Sequence, residues 1–231
     1  MSGIARDIKD ALAFYQALGF ERLPLRLKTS GGSLVSVNKQ TAMKLLRTEI
    51  GDCKRCKLSH KRTHIVFGEG SPDARLMFIG EAPGREEDVQ GKPFVGEAGV
   101  LLTRLIEKMG LKREEVYIAN IIKCRPPMNR DPERDEIEQC FGFLQRQIDI
   151  VGPDVIMTLG RIAAAALTGN EKLKITMIRG RRFDYRGIPC IPTFHPAYLM
   201  RNPKDKWLTW NDAQEVLAIL EQERTMPGVD V

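Results

Sequence analysis

Residues 154–169 read DVIMTLGRIAAAALTG. A short apolar run ends at Gly160, and an alanine-rich helical stretch starts at once. That junction reads as a buried strand feeding directly into a helix, one half of a βαβ unit. The same alternation recurs on both sides. Upstream, RLMFIG (75–80) is a short apolar run closed by glycine. Residues 96–110 follow, with Val100, Leu101, Leu105, Ile106 and Met109 on one helical face. VYIANII (116–122) is a second strand, followed by a helix over 132–150 that contains Cys140. Downstream, PCIPTFH (189–195) is a fourth strand, and 205–223 read as a helix. This alternation predicts an α/β fold with a mainly parallel, four-stranded sheet covered on both faces. In such sheets ligands bind beyond the carboxyl ends of the strands.

The chain has 231 residues, 42% hydrophobic and 29% charged, which supports a sizeable core and excludes a disordered chain. No apolar run approaches the roughly 18 residues that a bilayer-spanning helix needs. The opening MSGIARDIKD places charge ahead of any apolar stretch, so no secretory signal is expected and the expected setting is the cytoplasm. The net charge of +6 is compatible with a polyanionic partner. Residues 1–38 form a separate segment. Ile4, Ile8, Leu12 and Tyr15 recur at helical spacing, Gly19 suits a C-cap, and 23–38 (LPLRLKTSGGSLVSVN) read as a connector. Residues 39–231 make the main domain. Within it TAMKLLRTEIGDCKRCKL (41–58) reads as a helix running into the first cysteine pair.

Five cysteines stand at 53, 56, 124, 140 and 190. An odd number in a chain of intracellular character argues against a disulfide framework. Cys53 and Cys56 are spaced to clasp one metal or cluster from a tight turn, and Cys124 and Cys140 can complete four-fold ligation. Spacing alone admits zinc or an iron–sulfur cluster, with zinc the nearer fit. Cys190 sits in the apolar run GIPCIPTF and reads as a core thiol.

The candidate functional residues fall at strand ends. Gly80-Glu81-Ala82-Pro83-Gly84 follows the first strand, Asn120 ends the second, and His195-Pro196-Ala197 follows the fourth. Three loops can therefore converge on one cleft. Taken singly, each has the composition of an ordinary turn. His60 and His64 have no such context and read as surface residues.

Taken together, GEAPGREEDVQGKPFVGEAGVLL (80–102), IANIIKCRPPMNRDP (118–132) and TFHPAYLMRNP (193–203), framed by the four cysteines, resemble the family 4 uracil-DNA glycosylases. These are the iron–sulfur-containing branch of the uracil-DNA glycosylase superfamily. The resemblance spans about residues 40–223. It implies a three-layer α/β/α fold, and hydrolysis of the N-glycosidic bond of uracil in DNA by a monomer, nucleoid-associated in a prokaryote. It also implies a structural 4Fe-4S cluster on Cys53, Cys56, Cys124 and Cys140.

A uracil in a duplex must be flipped out before chemistry, which costs a few kcal/mol. By resemblance Phe94 stacks on the extruded base and Asn120 reads its edge, donating to O4 and accepting from N3–H. Cytosine presents the opposite pattern. Backbone N–H groups at Glu81 and Ala82 hold a uracil carbonyl, and His195 faces O2, where negative charge develops. The superfamily's best-known branch has an aspartate where Ala82 stands and a thymine-excluding tyrosine where Gly84 stands. Glu81 and Glu87 are then the carboxylates placed to orient water, with Asp88 next. Thymine rejection falls to Glu87 or to the Phe94 wall. Leu199 and Met200 read as an apolar wedge and Arg201 as a phosphate contact, joined by Arg125, Arg130 and Arg161.

Two alternatives compete. Family X resembles this pattern but has a GEQPG first motif and a basic insert with a histidine, and it crosslinks to uracil DNA. Here the motif is GEAPG, and CRPPMNRDPERDEIEQC has no histidine. A non-catalytic DNA-binding module stabilised by zinc would explain the charge and the cysteines, but not the three loops.

Overall fold

The computed structural model describes residues 38–225, with side chains to 222. The helix read over 4–18 and nearly all of the connector before residue 38 lie outside the described residues.

Six strands form one sheet: β1 (Glu69–Gly70), β2 (Leu76–Gly80), β3 (Tyr117–Asn120), β4 (Val155–Leu159), β5 (Phe183–Tyr185) and β6 (Ile188–Thr193). Their order is β1-β3-β2-β4-β6-β5. The inner four, β3, β2, β4 and β6, run parallel and correspond to the four expected strands. The sheet has six strands rather than four because β1 and β5 add to its edges antiparallel. At two and three residues, neither is long enough to carry a readable alternation.

Each inner strand is buried along its whole length, as parallel strands covered on both faces must be. The strand pleat divides the side chains between two cores. Met77 and Ile79 of β2 join Leu46, Leu144 and Ala163 on one face, whereas Leu76 and Phe78 join Leu102, Ile106 and Val216 on the other. The first face is covered by α1 (Lys39–Ile50), α4 (Arg134–Val151) and α5 (Arg161–Thr168). The second is covered by α3 (Glu97–Lys108) and α8 (Lys206–Thr225). Three shorter α-helices are α2 (Arg85–Gln90), α6 (Ile175–Ile178) and α7 (Pro196–Arg201). The result is the expected three-layer α/β/α arrangement.

Two boundaries differ from expectation. The helix over 41–58 stops at Ile50, because Gly51 takes φ 46° and turns the chain, so Cys53 and Cys56 lie on a loop. Strand β6 ends at Thr193, and His195 leaves it to become the N-cap of α7. Among the described residues, no helix is long and apolar enough to cross a membrane.

Register brings the strand ends level. Gly80 pairs with Asn120, and Leu159 pairs with Thr193. The β2–β3 ladder continues past the strands, with Ile121 N–H donating to Gly80 O at 2.9 Å and Ile122 N–H to Glu81 O at 3.2 Å. The three motif loops therefore leave the sheet at one edge.

Candidate active site

At that edge lies a cavity of about 560 Å³. It gathers Glu81, Ala82, Gly84, Glu87, Phe94, Asn120, His195, Met200 and Arg201. Of the residues expected at the base and backbone, Asp88, Arg125, Arg161 and Leu199 do not line it. Leu199 is 3% exposed, and its side chain packs inward as α7 docks on the domain. The expected wedge is thus corrected: Met200, 40% exposed, is the apolar side chain that α7 presents at the cavity.

Asn120 is 1% exposed, and its Oδ1 has no hydrogen-bond partner among the described residues. Leaving a buried carbonyl oxygen unpaired costs about 1–3 kcal/mol. Asn120 also lines the cavity, so this oxygen is an acceptor without a donor in a residue at the cavity wall. The main-chain carbonyl of Asn120 is held by Lys123, a fully buried residue that composition and spacing did not single out. Lys123 Nζ donates to Asn120 O at 2.9 Å and to Gln147 Oε1 at 2.6 Å. Gln147 Nε2 in turn donates to Phe67 O and to the Tyr117 hydroxyl. The one available signal was a lysine set inside the apolar run IANIIKC.

Phe94 is 6% exposed and sits at φ 49°, in the left-handed region that a phenylalanine rarely adopts. Neighbours hold it there. Glu87 Oε1 accepts from Val95 N–H and Gly96 N–H, both at 3.0 Å, and pins the turn. A Cβ on Gly99 would come within 1.9 Å of Phe94 O, so only glycine lets α3 start this close. The Phe94 ring lies 5.8 Å from that of His195, tilted 36°. Glycine is needed at the end of β2 for the same reason: a Cβ on Gly80 would lie 2.4 Å from Asn120 Oδ1 and 2.6 Å from Phe94 Cζ. One oxygen of Glu87 is therefore committed to bracing. Asp88 is committed too, accepting from Thr63 N–H at 2.9 Å.

His195 Nδ1 accepts from Ala197 N–H at 3.1 Å. Burial pushes the imidazole pKa down to about 4; Glu87 nearby opposes this and Arg201 adds to it. The ring is neutral at pH 7, and with Nδ1 accepting, its proton sits on Nε2. His195 thus lines the cavity as a neutral imidazole and adds no cation there. Glu81 is shifted the other way. Burial raises its carboxyl to about 7, Asp131 adds to the rise, and Arg161 opposes it.

Pro126, Asn129, Arg130 and Tyr198 also line the cavity and were not singled out as base contacts. Arg130 makes paired bonds to the buried carboxylate of Glu136 at 2.8 and 2.6 Å, and Arg161 pairs with Asp131 at 2.9 Å. Both guanidiniums are engaged within the fold. Arg125 Nε donates to Asn129 Oδ1, whereas Arg201 is exposed at the rim.

Cys53, Cys56, Cys124 and Cys140 are all free thiols packed on the same apolar core. Cys140 lies within electrostatic reach of Cys53 and Cys56, and Cys124 within reach of Cys56 and Cys140. Three of the sulfurs accept from N–H donors: Cys53 from Arg55 at 3.3 Å, Cys124 from Arg62 at 3.5 Å and Cys140 from the Lys123 backbone at 3.3 Å. Among the described residues, no three ligating side chains approach closely enough for a single metal ion. Four free thiols on one apolar core, three of them accepting from N–H donors, are a donor set that suits a soft metal or an iron–sulfur cluster. Cys190 is fully buried in the core, as expected.

A mainly parallel sheet sandwiched by helices, with a cavity at the carboxyl ends of its strands, defines a three-layer α/β protein with its candidate site where such sheets bind ligands. The family model of the uracil DNA glycosylase superfamily matches residues 67–217, and the chain belongs to that superfamily. Within it, the chain is 42% identical over 188 residues to a type-4 uracil-DNA glycosylase of Thermotoga maritima, covering 80% of this chain and 98% of the relative. Type-4 enzymes of Sulfurisphaera tokodaii and Saccharolobus solfataricus are 43% and 45% identical, over 80% and 78% of this chain and 89% and 87% of theirs.

Proposed function

We propose that the protein is a type-4 uracil-DNA glycosylase, hydrolysing the N-glycosidic bond of uracil in DNA to leave free uracil and an abasic site. The observation that carries the reading is Asn120 at the cavity wall, its buried side-chain Oδ1 without a hydrogen-bond partner among the described residues. Uracil N3–H supplies the missing donor, and O4 accepts from the Asn120 amide. Cytosine has no hydrogen on N3, and its amino group faces the Asn120 amide donor, so each contact is left unpaired at about 1–3 kcal/mol apiece. Phe94 supplies the flat face for stacking. As the glycosidic bond breaks, negative charge collects on the leaving base, and the neutral Nε2–H of His195 stabilises it at O2.

Glu81 is the carboxylate left to orient water and to face the positive charge developing on the sugar. Glu87 holds the Phe94 turn. Met200 plugs the space left by the flipped base, and Arg201 meets a phosphate. Cys53, Cys56, Cys124 and Cys140 would hold a 4Fe-4S cluster, whose contribution is to tie the loop after α1 to the segment after β3 and to α4. The protein works as a monomer on DNA, and residues 39–231 carry the activity.

The test is base release from oligonucleotides carrying uracil, thymine, cytosine or hypoxanthine, in single and double strands. Uracil is expected to be released by the wild type and not by Asn120→Ala or His195→Ala. A covalent protein–DNA adduct on a denaturing gel, or no uracil release, overturns the reading.

A further inference from the structure

The cavity accounts for one nucleotide, but in DNA that nucleotide is joined to neighbours that must leave over its rim. Two residues beyond Asp205, which bonds the cavity-lining Tyr198, stands an exposed aromatic: Trp207, 61% exposed, in the first turn of α8. The far end of α8 lies at the start of β2, where Arg75 donates to Leu220 O, so its first turn lies at the opposite edge of the sheet, with the cavity. Two contacts fasten it there. Asp205, just ahead of the helix, accepts from the hydroxyl of Tyr198 at 2.8 Å, and Tyr198 lines the cavity. Arg179 donates to Leu208 O and pairs with the buried Asp212, while Gly180 N–H donates to Pro192 O at 2.8 Å. The turn after Arg179 is thereby held against the first turn of α8.

These two segments expose Arg181, Arg182, Lys204 and Lys206. None of the four pairs with a carboxylate among the described residues, whereas Arg179 between them does. The combination of unpaired cations around an open indole matches how single-stranded nucleic acid is held. Cations track the backbone, and the ring stacks on an unpaired base irrespective of sequence. We propose that Trp207, flanked by Lys204, Lys206, Arg181 and Arg182, is a stacking platform for a single DNA strand leaving the cavity rim. This rests on the glycosylase reading above, and it deepens that reading by assigning a strand path outside the base pocket.

The experiment compares wild type, Trp207→Ala and the double variant Arg181→Glu/Arg182→Glu. It uses a long uracil-free single strand, the matching duplex, and a short oligonucleotide with one nucleotide on either side of a uracil. Fluorescence anisotropy reads affinity across salt concentrations, and base release is measured on the short substrate. Trp207→Ala is expected to bind the single strand about tenfold more weakly, with duplex affinity and release from the short substrate unchanged. The double variant is expected to lower the slope of log affinity against log salt by about 1.4, some 0.7 for each lost phosphate contact. Wild-type affinity and slope in both variants overturn the platform, and so does an equal loss on duplex and single strand. Failure of the wild type to release uracil, with the expected binding losses intact, overturns the glycosylase reading and leaves the platform standing.

Discussion

Replacing Gly80 by alanine tests the base slot with a single methyl. Gly80 is not among the residues at positive φ, so alanine meets no backbone strain and the cost is steric. The new carbon would lie 2.4 Å from Asn120 Oδ1 and 2.6–2.7 Å from the Phe94 ring. Non-bonded carbons rest at about 3.5–4.0 Å, so ring and amide must each retreat by about 1 Å. The main chain on both sides is held, because Glu87 and Gly99 fix the Phe94 turn and Lys123 holds the Asn120 carbonyl, so the shift falls on the ring and the side-chain amide. Overpacking of this kind costs about 1–3 kcal/mol, which at about 2–4 °C per kcal/mol lowers Tm by about 2–12 °C. The larger effect is on turnover, where a 1 Å misplacement costs about a hundredfold. The assay is single-turnover uracil release, read by alkaline cleavage of the abasic strand, alongside a thermal melt. Gly142→Ala is the control: nothing lies within 4 Å of its added carbon, and it falls mid-helix in α4. It should raise stability slightly and leave the rate alone. A folded Gly80→Ala protein that releases uracil within threefold of wild type refutes the slot as described.

Three further predictions concern protons and thiols. Glu81, raised to about 7, binds a proton more tightly folded than unfolded, so it lowers stability progressively as pH rises from about 4.5 to 7. Glu81→Gln should match wild type in melts near pH 4, exceed it above pH 7, and lose any rate increase through pH 7; identical melting profiles would contradict this. His195, lowered to about 4, should show a neutral ring protonated at Nε2 by nitrogen-15 NMR at pH 6, and an imidazolium there would remove the neutral-donor argument. Serine at Cys53, Cys56, Cys124 or Cys140 should strip iron and colour, whereas Cys190→Ser should keep both and lose about 1–3 kcal/mol of core stability. Full iron content in the Cys53 variant would break the ligand set.

The four parallel strands were legible because each lies in a short, largely apolar run of four to six residues next to a helical pattern. β1 and β5 were not, since EG and FDY carry no pattern and exist only by pairing with a neighbour. The loops were legible as motifs, but the facing of their side chains was not. Leu199 and Met200 are adjacent and both apolar, and only docking of α7 decides that Leu199 turns inward. Glu87 and Glu81 looked equivalent in sequence. The turn at Phe94 separates them, because its two N–H groups claim Glu87. Lys123 was hidden for a different reason: a buried ammonium satisfied by an amide and a carbonyl leaves no local spacing to read.

The ladder that continues from β2 and β3 into Ile121 and Ile122 has a thermodynamic result. Asn120 and the turn after Gly80 are locked by main-chain bonds before any ligand arrives, so docking of the ring freezes little extra motion there. The entropic penalty of capture then falls on the nucleic acid rather than on the protein. Selectivity set this way is expected to fade only slowly on warming, up to the temperature at which the sheet itself gives way.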